Sequence, residues 1–224
     1  MIEIVEPSVE LITPVDHLLK FPEIIELAAR NCYKSEQFAN PEKRDEFLTR
    51  LLTVHKHESV FEHCSITYRL ILSRSASHQE VRHRIQAISQ ESMRYCDYSN
   101  TNRFGGLKVI IAPKILSNKV ALDKVLNYFE QGYELYNYLR DNNIPAEDAR
   151  DVLPHATKTE IVSTMNIRMW RHVIRERGMN AHAQWQIRQL FLAVLYELNT
   201  YIPVFFRDLV EELAQRKTKE TSNG

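Results

Sequence analysis

Glycine is scarce in this chain, with 5 in 224 residues. Neither GxxxxGK[ST] nor GxGxxG occurs. That excludes a P-loop and a dinucleotide-binding turn of the Rossmann type. Phosphates would therefore be held largely by side chains, and the planar fork of arginine suits them best. Cysteine is also rare. Cys32, Cys64 and Cys96 stand far apart and form no CxxC pair, which argues against a disulfide framework or zinc knuckle and for reduced thiols. No apolar run approaches the roughly 20 residues of a membrane-spanning helix, and the N-terminus lacks the charged-then-apolar pattern of a signal peptide. An intracellular, cytoplasmic protein with no membrane partner is expected. Nor is there a surplus of charge: Lys+Arg and Asp+Glu are 29 each. A general nucleic-acid binder releases counterions with excess positive charge, so none is expected here.

What is present fits one compact domain over residues 1–224, since a hydrophobic fraction of 44% at this length can fill a single core. "IEIVEPSVELI" reads as two short strands broken at Pro7. Helices are expected from Pro22 and from Pro41, the second with Asn40 as N-cap and Leu48, Leu51 and Leu52 as its buried stripe. Residues 63–73 alternate as a half-buried strand, with a helix over 74–83 carrying Arg82-His83-Arg84 at its end. "KVIIAP" reads as a short buried strand. A long amphipathic helix is marked by Leu122, Leu126, Phe129, Tyr133 and Tyr136. "IPAEDARDVLP" is a short helix, "TKTEIVSTMN" a strand, and two helices follow over about 166–177 and 181–199. The polar tail from about residue 214 is expected to fray. The fold class is α+β, a central mixed or antiparallel sheet flanked by long helices.

Three polar clusters rise above this background. In "HKHESVFEH" the spacing of His57 and His63 is six, so the HExxH pattern of helical zinc proteases fails. A metal site is the lesser reading there, and capping or loop histidines the better one. In the second cluster, arginines near a helix C-terminus are favoured by its dipole without any function. Yet Gln79 shares a helix face with Arg82, and the following loop brings Gln90, Ser92 and Arg94. That set can grip a phosphate and a planar polar ring together. In the third, "NIRMWRHVIRERGMNAHAQW", Arg168, Arg171 and Arg175 fall on one helix face, which reads as a solvated surface, and Arg177 points elsewhere. The residues alone support an anion or nucleotide site and go no further.

The run "RHRIQAISQES", Arg82 to Ser92, resembles the RHR-x7-S signature of the flavin-dependent thymidylate synthases, and "QESMRY" extends the likeness. Further pieces follow in the family's order: His57-Glu58 with "FEH", "ARDVLP" with Arg150, then "NIR…H…R" and "HAQW". The resemblance spans roughly residues 50–190. It implies a thymidylate synthase-complementing protein-like α+β fold, a homotetramer and active sites shared between subunits. It also implies reductive methylation of dUMP to dTMP, with carbon from 5,10-methylenetetrahydrofolate and reducing equivalents passing from NADPH through FAD.

By the same resemblance, Arg82, His83 and Arg84 contact FAD, with Ser59, Gln90, Asn166, Arg168 and His172 at further flavin-side positions. Gln79, Arg82, Gln90, Ser92, Arg94 and Arg150 match positions that hold dUMP. Arg177 matches the arginine facing the uracil ring, and His57 a histidine near flavin and substrate. Ser92 is thus a substrate ligand rather than a nucleophile. The chain departs from the family's pattern at Ala87, at Ser89-Gln90, at His172, and in the spacing from Arg177 to His182. Those departures leave open a related transfer such as hydroxymethylation of dUMP. Two other classes stay in view, a catalytically silent nucleotide- or RNA-binding module and a metal-dependent hydrolase on the histidines of residues 55–63.

Overall fold

A computed structural model describes residues 2–222. The architecture is α+β, as expected. Two strands at the start, β1 (Glu3–Ile4) and β2 (Ser8–Leu11), are separated at Pro7, where a missing N–H interrupts any ladder. The chain continues through β3 (Ser65–Ser73), β4 (Ala87–Gln90), β5 (Lys108–Val109) and β6 (Lys158–Asn166). A four-stranded sheet runs in the order β2-β3-β6-β4, and β1 pairs with β5 in parallel. "KVIIAP" is therefore shorter as a strand than expected, ending at Val109; the Ile110 N–H bonds the Ala156 carbonyl at 2.9 Å, and a turn of helix opens at Pro113.

By its internal contacts the chain divides into two compact units. The first comprises Met1–Ser8, Leu70–Arg82 and Ile88–Val162; the second comprises Val9–Arg69, His83–Ala87 and Ser163–Gly224.

The first unit is organised by the helix Lys119–Asp141, capped by the Asn118 side chain. Phe129, Tyr133 and Tyr136 are buried with Met93, Tyr98, Leu107 and Val109, while Leu122 and Leu126 pack at the margin. Polar bonds hold the segment after residue 94 to that helix. Asp97 accepts from Arg140 at 2.9 Å and from Tyr136 at 3.1 Å, and Tyr133 donates to the Tyr98 carbonyl at 2.8 Å. Burial alone would raise the Asp97 carboxyl, but the hydrogen bonds from Arg140, Ser99 and Tyr136 hold it well below the usual carboxylate range.

The second unit is helical around the first half of β3. Trp170, on the helix Ile167–Val173, is fully buried and donates to the Ile66 carbonyl at 2.9 Å. Its ring meets Tyr68 edge-on at 5.2 Å and Phe191 at 6.1 Å. Leu48, Leu51 and Leu52 are buried on the helix Arg44–Thr53 as the leucine stripe requires, and Asn40 caps the preceding turn at the Glu42 N–H. Each such large apolar side chain contributes about 1.5–3 kcal/mol by leaving water.

Four expectations need correction. The helix after β3 covers Arg74–Glu80 only, so Arg82-His83-Arg84 lies beyond its end and not within it. The chain must turn there to re-enter the sheet as β4, and strand pairing overrides local helix preference. The helix expected at 166–177 is α only to Val173; Ile174–Gly178 is a π-turn. The following helix begins at Trp185, where the Gln184 side chain accepts from the N–H groups of Gln186 and Ile187. Lastly, the tail from residue 214 continues the helix Arg207–Ser222, whose first turns bury Leu209 and Leu213.

Candidate functional site

The expected site residues distribute unevenly. Gln79, Arg82, Gln90, Ser92, Arg94 and Arg150 lie in the first unit, whereas His57, Ser59, His83, Arg84, Asn166, Arg168, His172 and Arg177 lie in the second. Most of the nucleotide-side set thus belongs to one unit and most of the flavin-side set to the other.

In the first unit, Gln90 is on strand β4 and not in a loop. Its amide donates to the Thr159 hydroxyl at 3.3 Å, which leaves the amide oxygen for a ligand. Ser92 and Arg94 follow in a turn, the Ser92 hydroxyl accepting from the Arg94 N–H at 3.3 Å. The Arg94 guanidinium pairs with Glu147 at 2.8 Å, and Glu147 belongs to the short helix Ala146–Ala149 whose C-cap is Arg150. That ion pair brings the two nucleotide-side segments together. Gln79 is half-buried on its helix; Arg82 is exposed past its end.

In the second unit, two cavities adjoin through shared walls. One, of about 410 Å³, is lined by Asn166, Arg168 and His172 with Leu52, Phe61 and Met169. The other, of about 680 Å³, is lined by His57, Ser59 and Arg168 with Tyr33, Phe47 and Val60. Arg168 and Glu58 border both. Asn166 spends its carbonyl oxygen capping the next helix at the Met169 N–H, 2.8 Å away, which leaves its NH2 group for a ligand in the cavity that it lines. Arg168 is held by Glu58 at 3.2 Å and by Glu62 at 2.5 Å, both on the short helical segment Glu58–Glu62. These two glutamates were visible in the sequence only as neighbours of histidines, and nothing in the spacing linked them to an arginine more than a hundred residues away.

Arg177 and His83 meet directly. Arg177 Nε donates to His83 Nε2 at 3.0 Å, and the His83 and His172 rings lie edge-on with centroids 6.1 Å apart. To accept at Nε2 the imidazole must be neutral, with its proton on Nδ1. Burial, then the Arg177 and His172 charges, push His83 down to about 4, which keeps it in that form near neutrality.

Arg168 and Arg175 are on the face expected to be solvated, but Arg171 is not. It is buried, bonded to the Phe205 carbonyl and paired with Asp208 at 2.6 Å. Arg171 is therefore structural, since a buried guanidinium needs such partners. Among the described residues no group of three or more His, Cys, Asp or Glu side chains is arranged to hold a metal ion. Likewise, no helix among them is long and apolar enough to cross a membrane.

The cavities suit an extended, partly aromatic, anionic ligand such as FAD. Apolar and aromatic walls can take a planar ring, while Arg168 and the free half of the Asn166 amide can take phosphate or carbonyl oxygens.

Comparison with known proteins shows which family the chain is similar to. A family model described as "Thymidylate synthase complementing protein" matches residues 15–204. A flavin-dependent thymidylate synthase of Geobacter sulfurreducens is 37% identical over 196 residues, covering 82% of this chain and 80% of its own. One from Mycobacteroides abscessus is 32% identical, covering 93% of this chain and 92% of its own. Among solved structures, a UMP/dUMP methylase from Streptomyces cacaoi bound with 5-Br dUMP has a TM-score of 0.76. It is 21% identical and covers 93% of this chain and 97% of its own, a likeness of fold.

Proposed function

Because this chain belongs to the thymidylate synthase complementing protein family, we propose that it converts dUMP to dTMP by reductive methylation. The flavin is FAD, NADPH is the reductant, and 5,10-methylenetetrahydrofolate is the carbon donor. When bound, FAD supplies the hydride chemistry. The observation that carries the reading is the pairing of Arg177 with a neutral His83 inside the RHR-x7-S segment, next to His172 on the cavity wall.

The residues divide the work as follows. Arg82, His83, Arg84, Ser59, Gln90, Asn166, Arg168 and His172 hold and orient the flavin. Gln79, Arg82, Gln90, Ser92, Arg94 and Arg150 hold dUMP, the arginines on its phosphate. Arg177 faces the uracil carbonyls. As a hydride reaches C6 of the ring, negative charge builds on those oxygens, and a guanidinium already aimed at them stabilises it without reorganisation. His57 stands by flavin and substrate. Residues 1–224 act as one catalytic domain in a cytoplasmic homotetramer whose active sites are shared between subunits. No nucleic acid or membrane partner is needed.

The test is the visible spectrum of the purified protein during titration with dUMP, followed by an assay for dTMP with all co-substrates present. A flavin spectrum that shifts with dUMP, and dTMP that appears only with methylenetetrahydrofolate and reductant, are the expected results. A protein that takes up no FAD and leaves dUMP unchanged would overturn the proposal and favour a silent nucleotide-binding module.

A further inference from the structure

We infer that His83 is a positioning residue for Arg177: its Nε2 lone pair fixes the direction in which the Arg177 guanidinium presents its two remaining nitrogens to the substrate. The inference rests on the proposed function and deepens it, since it assigns the middle residue of the tripeptide a task distinct from flavin contact.

Three observations carry it. The first is the bond itself, Arg177 Nε to His83 Nε2 at 3.0 Å. A guanidinium carries five N–H donors in a rigid fork. Anchoring Nε sets the plane of the group, with one Nη beside the anchored N–H and the other directed away from His83. The second is the backbone beneath Arg177. Ile174–Gly178 is a π-turn, in which the Met179 N–H reaches the Ile174 carbonyl five residues back at 2.9 Å. Such a turn rotates the side chains that follow it relative to α-helical register, and it recurs at functional sites. Here it delivers Arg177 to His83. The third is that, among the described residues, Arg177 forms no ion pair with a carboxylate. The nearby cations Arg168, Arg171 and Arg175 are all committed to carboxylates, to Glu58 and Glu62, to Asp208, and to Glu212. Arg177 has an imidazole as its partner, so its full positive charge stays available to a developing anion. A carboxylate in the place of His83 would hold the same geometry while neutralising that charge.

Lost aim is costly in catalysis because orientation is worth several kcal/mol when it is set in advance. Truncating His83 should therefore act on substrate handling through Arg177, and it should do nothing further once Arg177 is gone.

The experiment is a double-mutant cycle on the FAD-loaded enzyme with His83→Ala, Arg177→Ala and the double variant, together with His83→Gln. The amide oxygen of glutamine can take the place of Nε2 as acceptor. The readouts are dUMP affinity by calorimetry, the split between kcat and KM, and the imidazole 15N shifts, with His83 assigned by its absence in His83→Gln. Expected are a loss of about tenfold to a hundredfold in kcat for His83→Ala, recovery of most of it in His83→Gln, and no change beyond about twofold when His83→Ala is added to Arg177→Ala. The wild-type shifts should report the Nδ1–H tautomer and change in Arg177→Ala. If His83→Ala costs as much in the Arg177→Ala background as alone, His83 acts directly on the flavin and the inference is overturned. It is equally overturned if His83→Ala leaves kcat and dUMP affinity unchanged. Should the wild type bind no dUMP at all, the proposed function itself has failed, while the 15N shifts still decide whether the contact exists.

Discussion

Arg94 Nε and Nη2 both point at one carboxylate oxygen of Glu147, at 2.9 and 2.8 Å. Arg94 is one of the arginines proposed to hold the nucleotide phosphate, so Glu147 competes for it. A phosphate that binds Arg94 must displace a carboxylate or share the guanidinium with it. The pair is half-exposed on both sides, 53% and 45%, and exposed pairs of this kind are worth about 1 kcal/mol at most. Glu147→Gln, which removes the charge and keeps the shape, should tighten dUMP binding by up to about fivefold. Calorimetric titration of the two proteins at matched ionic strength measures it. Weaker binding in the variant would make Glu147 a partner that positions Arg94 rather than a rival of the phosphate.

Acid should weaken the fold through His83. Its folded value is lowered to about 4 by burial first, then by Arg177 and His172, with Glu176 pulling the other way. In the unfolded chain a histidine titrates near 6.5. Above about 6.5 both states hold a neutral ring, and the contribution of the site is fully present. As pH falls from about 6.5 toward 4 the unfolded chain takes up a proton that the folded one refuses, so stability is lost over that window. Protonation near 4 then removes the Nε2 acceptor and sets a cation beside Arg177. Urea unfolding between pH 7.5 and 4.5 should show the wild type losing stability faster than His83→Gln. Parallel curves would mean that His83 takes up its proton in the native protein as it does in the unfolded chain, with no shift to couple to stability.

Much of the fold was legible in the sequence where period and capping chemistry agree. Asn40 caps the turn that opens the leucine-striped helix, as read from the sequence, and β3 buries Ile66, Tyr68, Leu70 and Leu72 in strict alternation. The misreadings share one cause, which is tertiary context acting on a short segment. Gln86 is tied to Ser163 at 2.8 Å and Glu91 bonds the Glu160 backbone at 2.9 Å, pairings 77 and about seventy residues apart that local pattern cannot reveal. They draw residues 87–90 into the sheet and end the preceding helix early. Arg171 was read with Arg168 and Arg175 as one wet face because helical spacing says nothing about what packs on that face. Its partner Asp208 sits 37 residues away on the last helix. In the candidate site, the tripeptide with Ser92 and Arg94 stood out through its likeness to the RHR-x7-S signature of the family. The Glu58 and Glu62 hold on Arg168, and the link from His83 to Arg177, were not, since each joins segments about a hundred residues apart.

Gly178 ends the π-turn that carries Arg177, and it is a glycine because of what lies against it. A Cβ built there would stand 3.2 Å from the Phe191 carbonyl carbon and its Cβ, and 3.3 Å from the Leu192 nitrogen. Two of those three atoms are backbone of the helix Trp185–Tyr201, which cannot rotate aside as a side chain can. Phe191 is itself fully buried against Trp170, so the helix has little room to retreat. Gly178→Ala should therefore cost about 1–3 kcal/mol of stability, the usual range for overpacking a filled interior. Because the strain falls one residue after Arg177, the variant should also lose dUMP turnover by more than it loses FAD affinity. Urea unfolding gives the first quantity, and kcat beside a flavin titration gives the second. Wild-type stability in Gly178→Ala would mean that the two helices separate at no cost, and that close approach is not why a glycine stands there. Lost stability with an unchanged kcat would instead detach the aim of Arg177 from the packing beneath it.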